Sequence, residues 1–342
     1  MNISHAIEVA YKVLDGGMLS FDEAMALTEV EGNDILDLVS LANKVRDKFA
    51  PAIVPCSILN AKSGVCSQNC KFCAQSGHHH TGIDSYPLLD EVKVVEAART
   101  VYSQGVRSFG IVTSGYGYLD THSPEFQKIL SAMDSLKKEF PDLNICLSLG
   151  ILSEETAKAL AEHGAYRYNM NLQTNPERYA ELISDMHGIK EKVQTIKHLQ
   201  KYGVSICCGG ILGLGENWID RVKMAFACRE LDVDGIPLNV LIPIPGTPLE
   251  GRPPMEPAEV AKAFAIFRLV NPTKTIKFAA GRETAMKDFQ GLLMLAGMNS
   301  LITGGYLTTR GRSIEDDRRF LCNLQGFTCG GKGVHNTKQG DN

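Results

Sequence analysis

Eight short apolar segments recur along this chain, each running into a polar or glycine-rich finish, and amphipathic stretches separate them. The segments are SILNAKS (57–63), SFGIVTSG (108–115), NICLSLG (144–150), YRYNMNL (166–172), VSICCGGILG (204–213), GIPLNVLIP (235–243), TIKFAAG (275–281) and SLITGG (300–305). Strands that alternate with helices build a parallel sheet, because parallel neighbours need a long crossover. Eight such units in about 250 residues predict an α/β fold of the (β/α)8 TIM-type barrel class, with a doubly wound open sheet as the alternative. Three intervening stretches, LDEVKVVEAARTVYSQG, SEETAKALAEHG and IKEKVQTIKHLQKYG, each close on glycine, a helix-stop signal. A barrel carries its functional residues at the C-terminal ends of the strands, where these segments turn polar. Residues 1–50 read as an N-terminal helical segment with a capped start at Ser20 or Asp22, residues 51–320 as the barrel, and residues 321–342 as a Cys-containing C-terminal extension with a disordered polar tail.

The bulk composition narrows the function by exclusion. The chain has 342 residues, 44% hydrophobic and 22% charged, with a net charge of −4, so it carries no nucleic-acid footprint. No apolar run approaches the roughly 20 residues of a membrane span, and the N-terminus lacks the pattern of a secretory signal. The expectation is a cytoplasmic protein, and there ten cysteines serve as metal ligands or free thiols rather than as disulfides.

Three of those cysteines sit together in GVCSQNCKFCAQS (64–76), directly after the first strand segment. A structural zinc site wants four ligands, commonly in C-x2-C pairs, and no second pair lies nearby. Three thiolates on one loop can instead hold three irons of a cubane, leaving the fourth open to bind a small molecule. His78, His79 and His80 could complete a zinc site, but adjacent histidines in a polar stretch read more simply as a solvated loop.

The spacing C-x3-C-x2-C, with Phe72 before its last cysteine, resembles the signature of radical S-adenosylmethionine enzymes. From about residue 40 to about residue 325 the chain resembles the biotin synthase family in particular. The motifs that carry the likeness are GVCSQNCKFCAQS, YNMNLQT, CCGGILGLGE, PLNVLIPIPGTPL, AAGRE, AGMNS and LTT. The resemblance implies a [4Fe–4S] cluster on Cys66, Cys70 and Cys73 whose open iron chelates S-adenosylmethionine. It also implies dethiobiotin as substrate, an auxiliary iron–sulfur cluster as sulfur donor, flavodoxin or ferredoxin as electron donor, and a homodimer. By the same resemblance Asn171 bridges nucleoside and substrate as the catalytic contact, Asn169 and Asn239 meet the ureido ring, and Thr308 and Thr309 receive the substrate carboxylate. Gln173, Lys192, Ile211 and Gly213 are implied in binding the cosubstrate. A related barrel enzyme, of the hydrogenase-cofactor maturase or methylornithine synthase type, is one alternative; a non-catalytic iron–sulfur or zinc scaffold is another.

The chain departs from the family pattern at its second cluster. The family's three strand cysteines and one arginine are here reduced to Cys146 and Cys207, with Gly110 and Lys277 at the other two places. An ammonium is a poor substitute for a planar guanidinium. Because Cys322 and Cys329 appear in exchange, the expectation is a relocated four-iron cluster on Cys146, Cys207, Cys322 and Cys329. Cys208 points away from Cys207 on a regular strand, while Cys56 and Cys228 read as buried structural thiols. Gln173 replaces the family's aspartate, and Lys192 its arginine on the cosubstrate carboxylate.

Overall fold

All eight strand segments form strands in the computed structural model, which describes residues 4–305, 307 and 311–327. They are β1 (Val54–Lys62), β2 (Ser108–Thr113), β3 (Asn144–Ser148), β4 (Arg167–Asn169), β5 (Ser205–Cys207), β6 (Gly235–Val240), β7 (Thr275–Phe278) and β8 (Ser300–Ile302). Each pairs in parallel with its neighbours in chain order. The pairings Val54–Ser300 and Cys56–Ile302 join β8 back to β1, so the sheet closes as a (β/α)8 barrel and the open-sheet alternative falls.

Helices carry the crossovers. In order these are α4 (Glu91–Ser103), α5 (Pro124–Glu139), α6 (Glu154–Glu162), the short α7 (Tyr179–Leu182) with α8 (Ile189–Lys201), α9 (Trp218–Glu230), α10 (Pro257–Val270) and α11 (Gln290–Leu295). The glycine stops hold: Gly105, Gly164 and Gly203, just beyond α4, α6 and α8, have φ of +85°, +82° and +75°, a region that disfavours a Cβ.

Before the barrel lie α1 (His5–Ala10), α2 (Phe21–Ala26) and α3 (Asp34–Phe49). Ser20 caps α2 in a reciprocal box with Glu23, which decides the cap between Ser20 and Asp22. These helices cover the outer side of α10, which is buried from Val260 to Val270. The same contact buries Lys262, whose Nζ donates to the carbonyls of Thr28 (2.6 Å) and Val30 (3.0 Å). One apolar core runs from Ile7 through the barrel to Leu324, so the N-terminal helices share the barrel's interior packing. A final helix, α12 (Ile314–Leu324), follows β8. Its Asp317 pairs with the buried Arg282 (2.7 Å), which fastens this helix to the turn after β7.

One strand segment is interrupted. VSICCGGILG gives β5, then a break, then a second stretch at Gly210–Leu212 that pairs further along β6. A Cβ on Gly209 would lie 2.1 Å from the Pro237 carbonyl oxygen. Gln173 inserts there instead: its N–H donates to the Gly209 carbonyl and its own carbonyl accepts from Ile211 (both 2.9 Å). The break therefore turns the end of β5 toward the barrel mouth.

Candidate active site

The cysteine loop leaves β1 through Gly64, whose φ of +77° and lack of a side chain are both required, since a Cβ would lie 2.0 Å from Ser85 Oγ. Backbone bonds then fold the loop on itself. Cys66 N–H donates to Gln75 O (3.0 Å), Gly77 N–H to Cys66 O (2.7 Å) and Cys73 N–H to Cys70 O (3.0 Å). His78 and His79 bond through their rings to the carbonyls of Ser67 (3.0 Å) and Cys70 (3.1 Å), so they brace the loop. Burial pushes the Cys70 thiol up to about 12 and the Cys73 thiol up to about 11, and neighbouring thiols add to both effects. Such thiols ionise readily only against a cation, which bound iron supplies. No three Cys, His, Asp or Glu side chains among the described residues converge on one ion-sized point. A cubane asks for less convergence, because each thiolate binds its own iron.

Cys66, Cys70 and Cys73 line the mouth of a cavity of about 290 Å³ that runs into the barrel. Asn169 lines it from the last position of β4 and Asn171 from just beyond, and Asn239 does so from β6. The Asn171 Oδ1 accepts from Gly209 N–H (3.1 Å), leaving its NH2 group for a ligand. The Asn239 amide is fixed in plane: its Nδ2 donates to Gly210 O (3.0 Å) and its Oδ1 accepts from Ala280 N–H (2.9 Å). One N–H and one lone pair remain, a donor–acceptor pair suited to a planar amide or urea. An apolar annexe of about 120 Å³ opens beside Phe72 and Cys73, lined by Ile211, Val240, Leu241 and Ile242. It offers a mainly apolar pocket next to the cluster loop.

Several polar atoms lining the cavity have no partner among the described residues. Gln68 Oε1, Thr113 Oγ1, Arg167 Nε and Gln173 Oε1 are buried without a hydrogen bond. Orphaned groups of this kind call for a bound molecule. Gln173 also holds a positive φ of +70°. Lys192, 9% exposed, donates to Asn171 O (3.2 Å); burial pulls its ammonium down, and the nearby Cys70 thiolate opposes that. Gly213 is different, because its N–H goes to Glu216 Oε1 (2.8 Å) in a turn outside the cavity lining.

Deeper in, consecutive strands form a row. Ile58, Gly110, Cys146 and Arg167 are register partners across β1, β2, β3 and β4. Cys146, Cys207 and Lys277 all line this inner part of the cavity. So does Cys56, which is buried as expected but lines the cavity, and its Sγ lies 2.8 Å from Lys277 Nζ. Burial acts against the Lys277 charge, but the thiols of Cys56, Cys207 and Cys146 outweigh it and hold the ammonium up. Burial in turn pushes the Cys146 and Cys207 thiols up. The described residues lining the cavity include Arg167, Lys192 and Lys277 but no aspartate or glutamate.

The remaining expected residues lie elsewhere. Cys322 is exposed on α12 and does not line the cavity, so the structure does not bring it to Cys146 and Cys207. Thr308, Thr309 and Cys329 fall outside the described residues. Cys208 and Cys228 are buried in the apolar core, where Cys228 Sγ donates to Cys208 O (3.2 Å).

A barrel whose mouth carries three cysteines on one loop is the architecture of a radical S-adenosylmethionine enzyme, and residues 61–228 match the family model for the radical SAM superfamily. Residues 237–327 match the Biotin and Thiamin Synthesis associated domain. A biotin synthase of Chlorobium luteolum is 57% identical over 324 residues, covering 94% of this chain and 97% of its own. One of Chlorobaculum tepidum is 56% identical over 326 residues, covering 94% and 98%. The chain belongs to the biotin synthase family. A solved methylornithine synthase superposes with a TM-score of 0.81 over 94% of this chain and 96% of its own, at 20% identity, a likeness of fold.

Proposed function

We propose that this chain is a biotin synthase that inserts one sulfur atom between two saturated carbons of dethiobiotin, using S-adenosylmethionine and two iron–sulfur clusters. The observation that carries the reading is one continuous cavity with two sets of thiols, cations on its wall and no carboxylate among its described lining residues. Such a wall favours anionic contents, and clusters on thiolates, a cosubstrate carboxylate and a substrate carboxylate are all anionic. When bound, a [4Fe–4S] cluster with S-adenosylmethionine supplies a 5′-deoxyadenosyl radical that removes hydrogen from carbon, and the auxiliary cluster supplies the sulfur.

The chain's own residues bind, orient and exclude water. Cys66, Cys70 and Cys73 ligate the first cluster. Lys192 meets the cosubstrate carboxylate as a point charge, and the unpaired Gln173 Oε1 accepts from a ribose hydroxyl. Ile211 walls the annexe that takes the base. The amides of Asn169, Asn171 and Asn239 recognise the ureido ring, and Thr308 and Thr309 receive the carboxylate tail. Cys146 and Cys207 ligate the auxiliary, four-iron cluster. On this reading residues 1–50 cover the barrel formed by 51–320, and 321–342 extend it. The protein works in the cytoplasm as a homodimer, with flavodoxin or ferredoxin as donor. No described helix is long and apolar enough to cross a membrane.

The test is anaerobic reconstitution with dethiobiotin, S-adenosylmethionine and a strong reductant. Formation of 5′-deoxyadenosine together with biotin is the expected outcome. Cleavage of the cosubstrate without biotin overturns the substrate, and no cleavage overturns the whole reading.

A further inference from the structure

We infer that Cys56 is the third thiolate ligand of the auxiliary cluster, beside Cys146 and Cys207, and that Cys322 is not needed to hold it. The inference rests on the two-cluster reading above and deepens it.

Four observations support the assignment. Cys56 is 7% exposed, and the little surface it has belongs to the cavity that Cys146 and Cys207 line. It lies two residues before Ile58 on β1, and both residues line that cavity. Ile58 is the register partner of Gly110, and Gly110 is the partner of Cys146. The thiol is therefore one strand over and two residues back from the place where the family pattern has its missing cysteine.

The local packing explains the displacement. A Cβ on Gly110 would lie 2.9 Å from Ile58 Cγ2, so Ile58 occupies the space a cysteine at 110 would need. The two changes go together: a bulky residue at 58 excludes a side chain at 110, and the thiol moves to 56.

Lys277 completes the picture. Its Nζ lies 2.8 Å from Cys56 Sγ and is 7% exposed. No acidic side chain among the described lining residues balances it. A buried cation without a carboxylate is costly unless the site brings its own negative charge. Three thiolates on an iron–sulfur core bring that charge. Arg167 faces the same thiols from β4, with Cys207 within its reach, and its Nε has no partner among the described residues. Three protein thiolates on four irons leave one iron free for a non-protein ligand, which suits a cluster that must part with sulfur.

The experiment measures iron and acid-labile sulfide per chain, with absorbance near 400 nm, after anaerobic loading of full-length protein. The background is Cys66→Ala, which removes the first cluster. About four irons per chain are expected there. Adding Cys56→Ala or Cys56→Ser should lower bound iron at least threefold, while adding Cys322→Ala should leave it unchanged. Cys228→Ala, at a fully buried thiol that does not line the cavity, controls for loss of fold. Retention of full iron in both Cys56 variants overturns the ligand assignment, as does a matching loss in the Cys228→Ala control. Absence of iron from the Cys66→Ala background alone would instead overturn the auxiliary cluster itself.

Discussion

Gly110→Ala tests how tightly the inner row is packed. The new Cβ would sit 2.9 Å from Ile58 Cγ2, well inside an ordinary carbon contact of about 3.5–4.0 Å. Ile58 is β-branched on a strand, so its methyl has little rotamer freedom to move away. Overpacking of this kind costs about 1–3 kcal/mol. Against it, Gly110 has no positive φ, so alanine would stiffen the unfolded chain and return about 0.4–1 kcal/mol. The net expectation is a loss of about 1–2 kcal/mol. Ile58→Leu removes the clashing branch, and in that background Gly110→Ala should cost nothing. Urea unfolding of the four metal-free proteins, read by circular dichroism, gives the double-mutant cycle. An equal cost in both backgrounds, or a Gly110→Ala protein as stable as the parent, would refute the packing argument.

Other outcomes follow from named groups. His187 bonds to Tyr179 Oη (2.7 Å); burial, aided by Lys192, lowers its pKa to about 4. It binds fewer protons folded than unfolded between its ordinary value of about 6.5 and about 4, so stability falls as pH drops through that window. Urea midpoints at pH 7 and pH 5 should differ less in His187→Gln than in the parent. Gln173→Leu removes the orphaned acceptor, and S-adenosylmethionine should bind about fivefold more weakly by equilibrium dialysis, since one hydrogen bond is worth about 1 kcal/mol; unchanged binding would place the ribose elsewhere. Lys277→Met should reduce iron retained in the Cys66→Ala background, and Lys277→Arg should retain more than Lys277→Met, because the charge matters more than the geometry. Gly64→Ala, whose Cβ would strike Ser85 Oγ, should impair iron loading at the first cluster, read as iron per chain in a Cys146→Ala background.

The barrel was readable because each strand announces itself by an apolar start and a polar finish, and each of three helices by its closing glycine. The cysteine loop was readable because three thiols at that spacing can hold three irons of a cubane and because the motif resembles a family signature. Cys56 was not. It stands alone in VPCSILNAK, whose burial runs in pairs rather than alternating, so period-two reasoning does not assign its face. Only closure of β8 onto β1 and β7 brings it to Lys277. The break after β5 was hidden for a related reason: it depends on Gln173, from the preceding unit, entering the ladder.

The Cys56–Lys277 contact spans 221 residues of sequence. The three-cysteine loop follows the first strand and is made early in synthesis, whereas the inner thiol set gains its cation only when the seventh strand has been translated and docked. On the proposed two-cluster reading, maturation is ordered in time: the outer loop can be presented to an iron donor on a nascent chain, whereas the inner set gains Lys277 only after the seventh strand has docked.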